Sequence, residues 1–217
     1  RGRNILKISQ SAKWQTREIS ATLGISGTRI VVLGNGWEHV ERIVSDDAVL
    51  RRHPEIARGR YYLVLGNRSP YKNLAWVLAA ARHSPETRWV VAGGMLSSAA
   101  DAEKPLANVV YTGYVSDGEM KCLVENCRAL VHPSLDEGFG IPPLEALALG
   151  RPAVVARTSC LPEVYGNAVG YIDHPTDLSV VDIKTCGIGR RDAVPLVLAR
   201  YTWRAAALKL LEVIHSG

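Results

Sequence analysis

The chain has 217 residues, of which 47% are apolar, and a net charge of +5. That is enough for one substantial core and a mildly basic surface. No apolar run approaches the length of a bilayer-crossing helix, which argues against an integral membrane protein. The charge leaves nucleic acid, anionic lipid and phosphorylated small molecules as partner classes.

In chain order, residues 12–23 read as a helix, and the apolar run 30–33 reads as a strand followed by a turn or hinge at Gly34, Asn35 and Gly36. Further short, β-rich runs lie at 61–65, 89–92, 109–111, 129–131, 153–155 and 170–172. Continuous apolar character of that kind belongs to strands buried on both faces. Helical patterns fall between them at 73–82, 117–127 and 142–149, and an amphipathic helix, expected to pack on the core, closes the chain at 203–214. Strands alternating with helices predict an α/β fold, a doubly wound parallel sheet of Rossmann type with right-handed crossovers. Ligands bind such sheets beyond the carboxyl ends of the strands. Gly66, Gly93 with Gly94, Thr112 with Gly113, and Pro133 with Ser134 all stand at those ends. Residues 174–192 show little periodicity. Cys122, Cys127, Cys160 and Cys186 have no paired spacing, so dispersed thiols are expected rather than a zinc site.

Residues 136–150 carry the most chemistry. The strand at 129–131 ends at His132, Pro133 and Ser134, and Pro142 and Pro143 suit the first turn of a helix starting near Ile141. Gly138, Phe139 and Gly140 then present backbone N–H groups at the positive helix end, an arrangement that holds phosphate or a sugar hydroxyl. Glu137 stands at the lip of that turn. Glu145 lies among Leu144, Ala146, Leu147, Ala148 and Leu149, and a carboxylate on an apolar helix needs hydrogen-bond donors. Two neighbouring sugar hydroxyls are suitable donors. A second loop, 66–73, follows the strand at 61–65 and carries Arg68 and Lys72, two cations that suit a diphosphate. His132 has two readings, an approach to the ligand or a packed imidazole.

Competing chemistries lack their signatures. No GxGxxG follows the first strands, which argues against a dinucleotide-binding dehydrogenase, and no GxxxxGK[ST] loop is present. No Asp-x-Asp pair stands ready to hold a divalent ion, so neither a metal nor another cofactor is expected. Arg51 with Arg52 and Arg190 with Arg191 lack interleaved aromatics, so nucleic acid is not expected as a partner. These pairs suit an anionic membrane surface or scattered surface charge equally well.

The segment Glu137-Gly-Phe-Gly-Ile-Pro-Pro-Leu-Glu145-Ala resembles the hallmark of retaining glycosyltransferases of family 4, which have the GT-B fold. Supporting pieces follow in the family's order: 29–36 resembles its interdomain turn, 66–73 its phosphate loop, 91–94 and 111–115 its next strand ends, and 161–164 and 201–203 its later segments. The resemblance runs from about Ser9 to the chain end. It implies the C-terminal half of a GT-B fold, a single nucleotide-sugar-binding domain over 1–217, with 1–36 crossing from a missing N-terminal acceptor domain and 200–217 forming the terminal helix. The opening at Arg rather than Met fits a piece of a longer protein.

By the same resemblance, Glu145 accepts the ribose hydroxyls and Glu137 faces the donor sugar near the reacting carbon. Phe139, Gly140 and Ile141 offer backbone contacts, Lys72 binds phosphate, and Val115, after Gly113, lies where the base is touched. Asn67 holds the family's usual arginine position, with Arg68 one place later. The segment 173–203 is shorter than its counterpart. The implied activity is metal-free, retaining transfer of a hexose from a nucleotide-diphosphate sugar to a glycan or lipid-linked acceptor. The implied location is cytoplasmic, and peripheral attachment at the inner membrane face stays open. Prolines 142 and 143 resemble those of mannosyltransferases of surface polysaccharides, so GDP-mannose is the first donor expected and UDP-glucose the next. The isolated half is expected to be inactive. A non-catalytic nucleotide-sugar-binding module or partner subunit is the alternative.

Overall fold

The computed structural model describes residues 7–9, 16, 20–22, 24, 30–66, 69–93, 106–179 and 181–216. Most of the helix expected at 12–23 lies outside them. So do Arg29, Asn67, Arg68 and Gly94.

Two short strands, β1 (Lys7–Ser9) and β2 (Ile30–Val32), pair in parallel. The main sheet contains β3 (Tyr61–Leu65), β4 (Arg88–Ala92), β5 (Val109–Gly113), β6 (Ala129–His132), β7 (Ala153–Ala156) and β8 (Gly170–Ile172). All neighbours in it are parallel, in the order β5-β4-β3-β6-β7-β8. The chain builds outward from β3 to β5, returns to β6 beside β3, and builds outward again to β8. The order therefore reverses between β3 and β6, where doubly wound sheets open a crevice beyond their carboxyl ends.

Both faces of the sheet are covered, as continuous apolar strands require. Tyr62 and Val64 pack with Trp76, Val77, Trp89 and Val91 on one side. Tyr61 and Leu63 alternate to the other side, against Val49, Val90, Leu123, Val124 and Leu130. The period of two along β3 thus divides one strand between two cores. A third cluster joins Phe139, Leu144, Val155, Leu161, Tyr165 and Tyr201.

From residue 30 onward, the described helices are α1 (His39–Arg42), α2 (Ala48–Arg52), α3 (Leu74–His83), α4 (Asp117–Asn126), α5 (Ile141–Ala148), α6 (Leu161–Tyr165), α7 (Val194–Arg200) and α8 (Trp203–Ser216). The N-terminus of α4 carries a capping box. Ser116 Oγ accepts from Glu119 N at 3.3 Å and Glu119 Oε2 accepts from Ser116 N at 3.0 Å. Two donors that the helix leaves open are satisfied reciprocally.

The turn read as a hinge is buried. A Cβ on Gly36 would lie 2.1 Å from Trp203 N, so only glycine permits α8 to start there. The terminal helix also departs from the expectation of core packing. Ala206 is buried, but Leu208, Leu211 and Ile214 are about half exposed or more, because the helix meets the body mainly along its first turns. The four cysteines are free thiols. The basic pairs are largely compensated: Arg51 pairs with Asp47, Arg52 with Glu119 and Arg190 with Asp192. That leaves less free positive charge for an anionic surface than the sequence suggested. Among the described residues, no helix is long and apolar enough to cross a membrane.

Candidate active site

The crevice is built by loops that hydrogen bonds fasten to one another. After β3 the chain makes a 3-10 turn, Pro70–Lys72, and Asn73 adopts a left-handed conformation at φ 54° before α3 begins. The buried Asn73 amide donates to Pro133 O at 3.2 Å and to Pro175 O at 2.8 Å. Leu135 N donates to Tyr71 O at 2.7 Å. Thr158 Oγ1 donates to Ser134 O at 2.8 Å, while Glu137 N donates to Ser159 Oγ at 3.2 Å. The loops after β3, β6 and β7 are therefore one assembly. Ser159 sits at φ 45°, a conformation uncommon for a residue other than glycine.

Three ionisable side chains meet in it. Lys72 Nζ donates to Glu137 Oε1 at 2.7 Å, bringing together two residues 65 positions apart. His132, at the end of β6 and 1% exposed, places Nε2 3.0 Å from the same oxygen. That contact lacks hydrogen-bond alignment. Burial works against the Glu137 charge, but His132 and then Lys72 outweigh it and hold the carboxyl at about 2. His132 is thus a packed imidazole, and it touches the Glu137 carboxylate from within the body of the protein. Cys160 donates to Glu137 O at 3.1 Å, and burial pushes its thiol up to about 11, so it is not a poised nucleophile.

Helix α5 starts at Ile141, as the paired prolines demand, and its cap is Gly140 at φ 78°. A Cβ on Gly140 would meet Leu161 Cδ2 at 2.6 Å, so the turn needs glycine for both conformation and space. Tyr165 OH donates to Gly140 O and anchors the turn from α6. Phe139 points away from the crevice, its ring edge-on to Tyr201 at 5.1 Å. Its ring is therefore taken up in the core, and only its backbone is left to the turn. Among the described residues nothing accepts from the N–H groups of Gly138, Phe139 or Gly140. These groups stand at the start of the helix, where its dipole is positive.

Glu145 is 8% exposed, and its Oε1 meets His39 Nε2 at 2.7 Å. A burial this deep on an apolar helix face is tolerated because the carboxylate has a donor. Gly66, Gly93 and Gly113 line the carboxyl ends of β3, β4 and β5, each at positive φ. Gly66 N donates to Ala92 O at 3.0 Å and Gly93 N to Gly113 O at 2.9 Å. The row leaves a floor without side chains. Beside it Val115 is half-buried, packed against the cluster that contains Val110 and Leu123, while the neighbouring Tyr114 is 82% exposed.

The structure therefore brings Lys72, Glu137, Gly138, Phe139, Gly140 and Ile141 together, with Glu145 four residues along the same helix. Arg68 lies outside the described residues. Sequence reading missed His39 and Ser159, which have no local signature and arrive through distant contacts. Among the described residues, no three His, Cys, Asp or Glu side chains cluster as metal ligands.

Comparison with known proteins gives concordant results. The family model for glycosyl transferases group 1 matches residues 46–180. The O-antigen chain mannosyltransferase B of Escherichia coli is 33% identical over 144 residues, 61% of this chain and 37% of the relative. The O-antigen chain mannosyltransferase RfbU of Salmonella typhimurium is 27% identical over 180 residues, 80% of this chain and 47% of the relative. Among solved structures, Anabaena HepE in complex with UDP and glucose superposes with a TM-score of 0.75 at 20% identity, over 98% of this chain and 63% of its own. A glycosyltransferase from Rickettsia africae gives a TM-score of 0.77 at 13% identity, over 95% and 62%. The chain thus spans less than half the length of those two curated relatives.

Proposed function

The chain belongs to the glycosyl transferases group 1 family, and from that premise we propose that it is the donor-binding domain of a retaining, metal-independent glycosyltransferase whose acceptor domain lies elsewhere. The observation that carries the reading is the meeting of Lys72 and Glu137, from the loops after β3 and β6, at 2.7 Å over the sheet's reversal point.

In this reading the nucleotide lies across the glycine row with its ribose on Glu145, its base near Val115, and its diphosphate between Lys72 and the N-terminus of α5. An ammonium has three donors. One reaches Glu137 in the structure, and the others are available to phosphate oxygens. When the sugar–phosphate bond breaks, negative charge grows on the departing diphosphate, and Lys72 with the N–H groups of 138–141 stabilises it. Glu137, held ionised by His132 and Lys72, balances the positive charge that develops on the sugar. Its role is electrostatic, so attack from the face that the phosphate leaves, with that phosphate taking the acceptor's proton, gives retention without a covalent glycosyl-enzyme. Arg68 belongs to the same loop as Lys72 and would add a second cation to the diphosphate. The two O-antigen mannosyltransferase relatives support a mannose donor, and GDP-mannose is the first choice, with UDP-glucose the next.

Two substitutions test the assignment. Lys72→Ala is expected to weaken GDP or UDP much more than guanosine or uridine, and equal losses would remove Lys72 from the phosphate. Glu145→Ala is expected to weaken nucleotide by about 1–3 kcal/mol, because a charge-assisted acceptor is lost. Unchanged affinity would remove its ribose role.

A further inference from the structure

We propose that His39 is a positioning residue for Glu145, set in its working tautomer by Trp203 at the start of the terminal helix. The proposal rests on the reading of Glu145 as the ribose acceptor and deepens it.

Both nitrogens of the His39 ring are engaged. Trp203 Nε1 reaches His39 Nδ1 at 3.1 Å, and His39 Nε2 reaches Glu145 Oε1 at 2.7 Å. An indole N–H only donates, so Nδ1 must accept. A neutral imidazole that accepts at Nδ1 carries its proton on Nε2. The proton therefore points at the carboxylate, and the chain of bonds runs in one direction, from Trp203 through His39 to Glu145.

Trp203 is itself held. Its backbone N–H donates to Glu38 Oε2 at 2.8 Å, and the same oxygen accepts from Trp37 N at 3.1 Å. Burial opposes the Glu38 charge, but the backbone N–H of Trp203, with those of Glu38, Arg204 and Trp37, keeps its carboxyl below the usual range. Trp37 Nε1 adds a bond to Leu198 O at 3.0 Å in α7. Residues 37–39 are thus clamped between α5 and the last two helices.

The consequence for binding is geometric. Two vicinal hydroxyls need both carboxylate oxygens at a fixed tilt, and an ionised carboxylate with about four acceptor positions can give one to His39 and keep the rest. His39 fixes Oε1 before the nucleotide arrives, so the ordering of Glu145 is not charged against binding. The effect should appear specifically in the recognition of the ribose hydroxyls.

The test compares affinity for GDP and UDP with that for their 2′,3′-dideoxy forms, by calorimetry. The native protein should prefer the ribose form, and Glu145→Ala should abolish the preference. His39→Ala should reduce it by roughly tenfold. His39→Gln, whose amide places a donor near the Nε2 position, should restore most of it. Trp203→Phe keeps the aromatic body and removes only the N–H, and should produce a smaller reduction while keeping the ring at 39. If Glu145→Ala abolishes the preference while His39→Ala and Trp203→Phe leave it intact, the positioning role is overturned and the ribose reading stands. If Glu145→Ala leaves the preference intact, or the native protein shows none, the ribose reading falls and the proposal with it.

Discussion

Glu137 is a carboxylate between two nitrogen bases, and its titration gives the site a signature at the scale of one residue. Its folded value lies at about 2, below the ordinary 4.5. A depressed value means that the folded state binds the proton less tightly than the unfolded chain. The stability it contributes is present above pH 4.5 and is lost as the pH falls towards 2. Glu137→Gln should therefore be less stable than the native protein at pH 6, with the gap in melting temperature closing as the pH is lowered to 3. A gap that does not change with pH would show that Lys72 and His132 do not hold the charge. Glu137, Lys72 and Glu145 were legible in sequence because glycines and prolines punctuate their loops and leave few conformations open. His39 was not. Its partners are 106 and 164 positions away, and no local pattern encodes a contact that depends on how α1 and α8 close over the sheet.

At the scale of elements, the strands of the main sheet were legible within one or two residues at each end. Strands buried on both faces write an unbroken apolar run, and nothing else in the chain competes with it. Among the described residues four helices escaped: α1, α2, α6 and α7, which have four to seven residues each. That is two turns at most, too short to display a period, and tertiary contacts stabilise them rather than propensity. The start of α5 is the element on which the site depends most. Gly140→Ala must hold a left-handed conformation that costs an L-residue about 1–2 kcal/mol, and its methyl must displace Leu161. Urea unfolding should show a loss of at least that size, together with weaker nucleotide binding. A stable variant with normal binding would mean that the turn adapts. Ser116→Ala, which removes half of the capping box on α4, should cost about 1 kcal/mol in urea unfolding, and an unchanged stability would show that the box does not hold the helix start.

The whole molecule explains why these residues share a site. The strand order places β3 and β6 side by side although 63 residues, 66–128, separate Leu65 from Ala129, and the loops after both strands open at the same edge. One loop carries Lys72 and the other Glu137. The helix following the second carries Glu145, so the residues proposed for phosphate, sugar and ribose stand on adjoining elements. This placement belongs to the topology, and a sequence alternating strand and helix already implies it. The acceptor side does not follow from these residues, because no group in the crevice is committed to it. The account's central claim is that the crevice holds a nucleoside diphosphate and its sugar. The most direct test is calorimetric titration of the protein with GDP, UDP, GDP-mannose and UDP-glucose. The account predicts saturable binding of one base series, with the sugar conjugate and free diphosphate both weakened in Glu145→Ala. Failure of all four ligands to bind would contradict it.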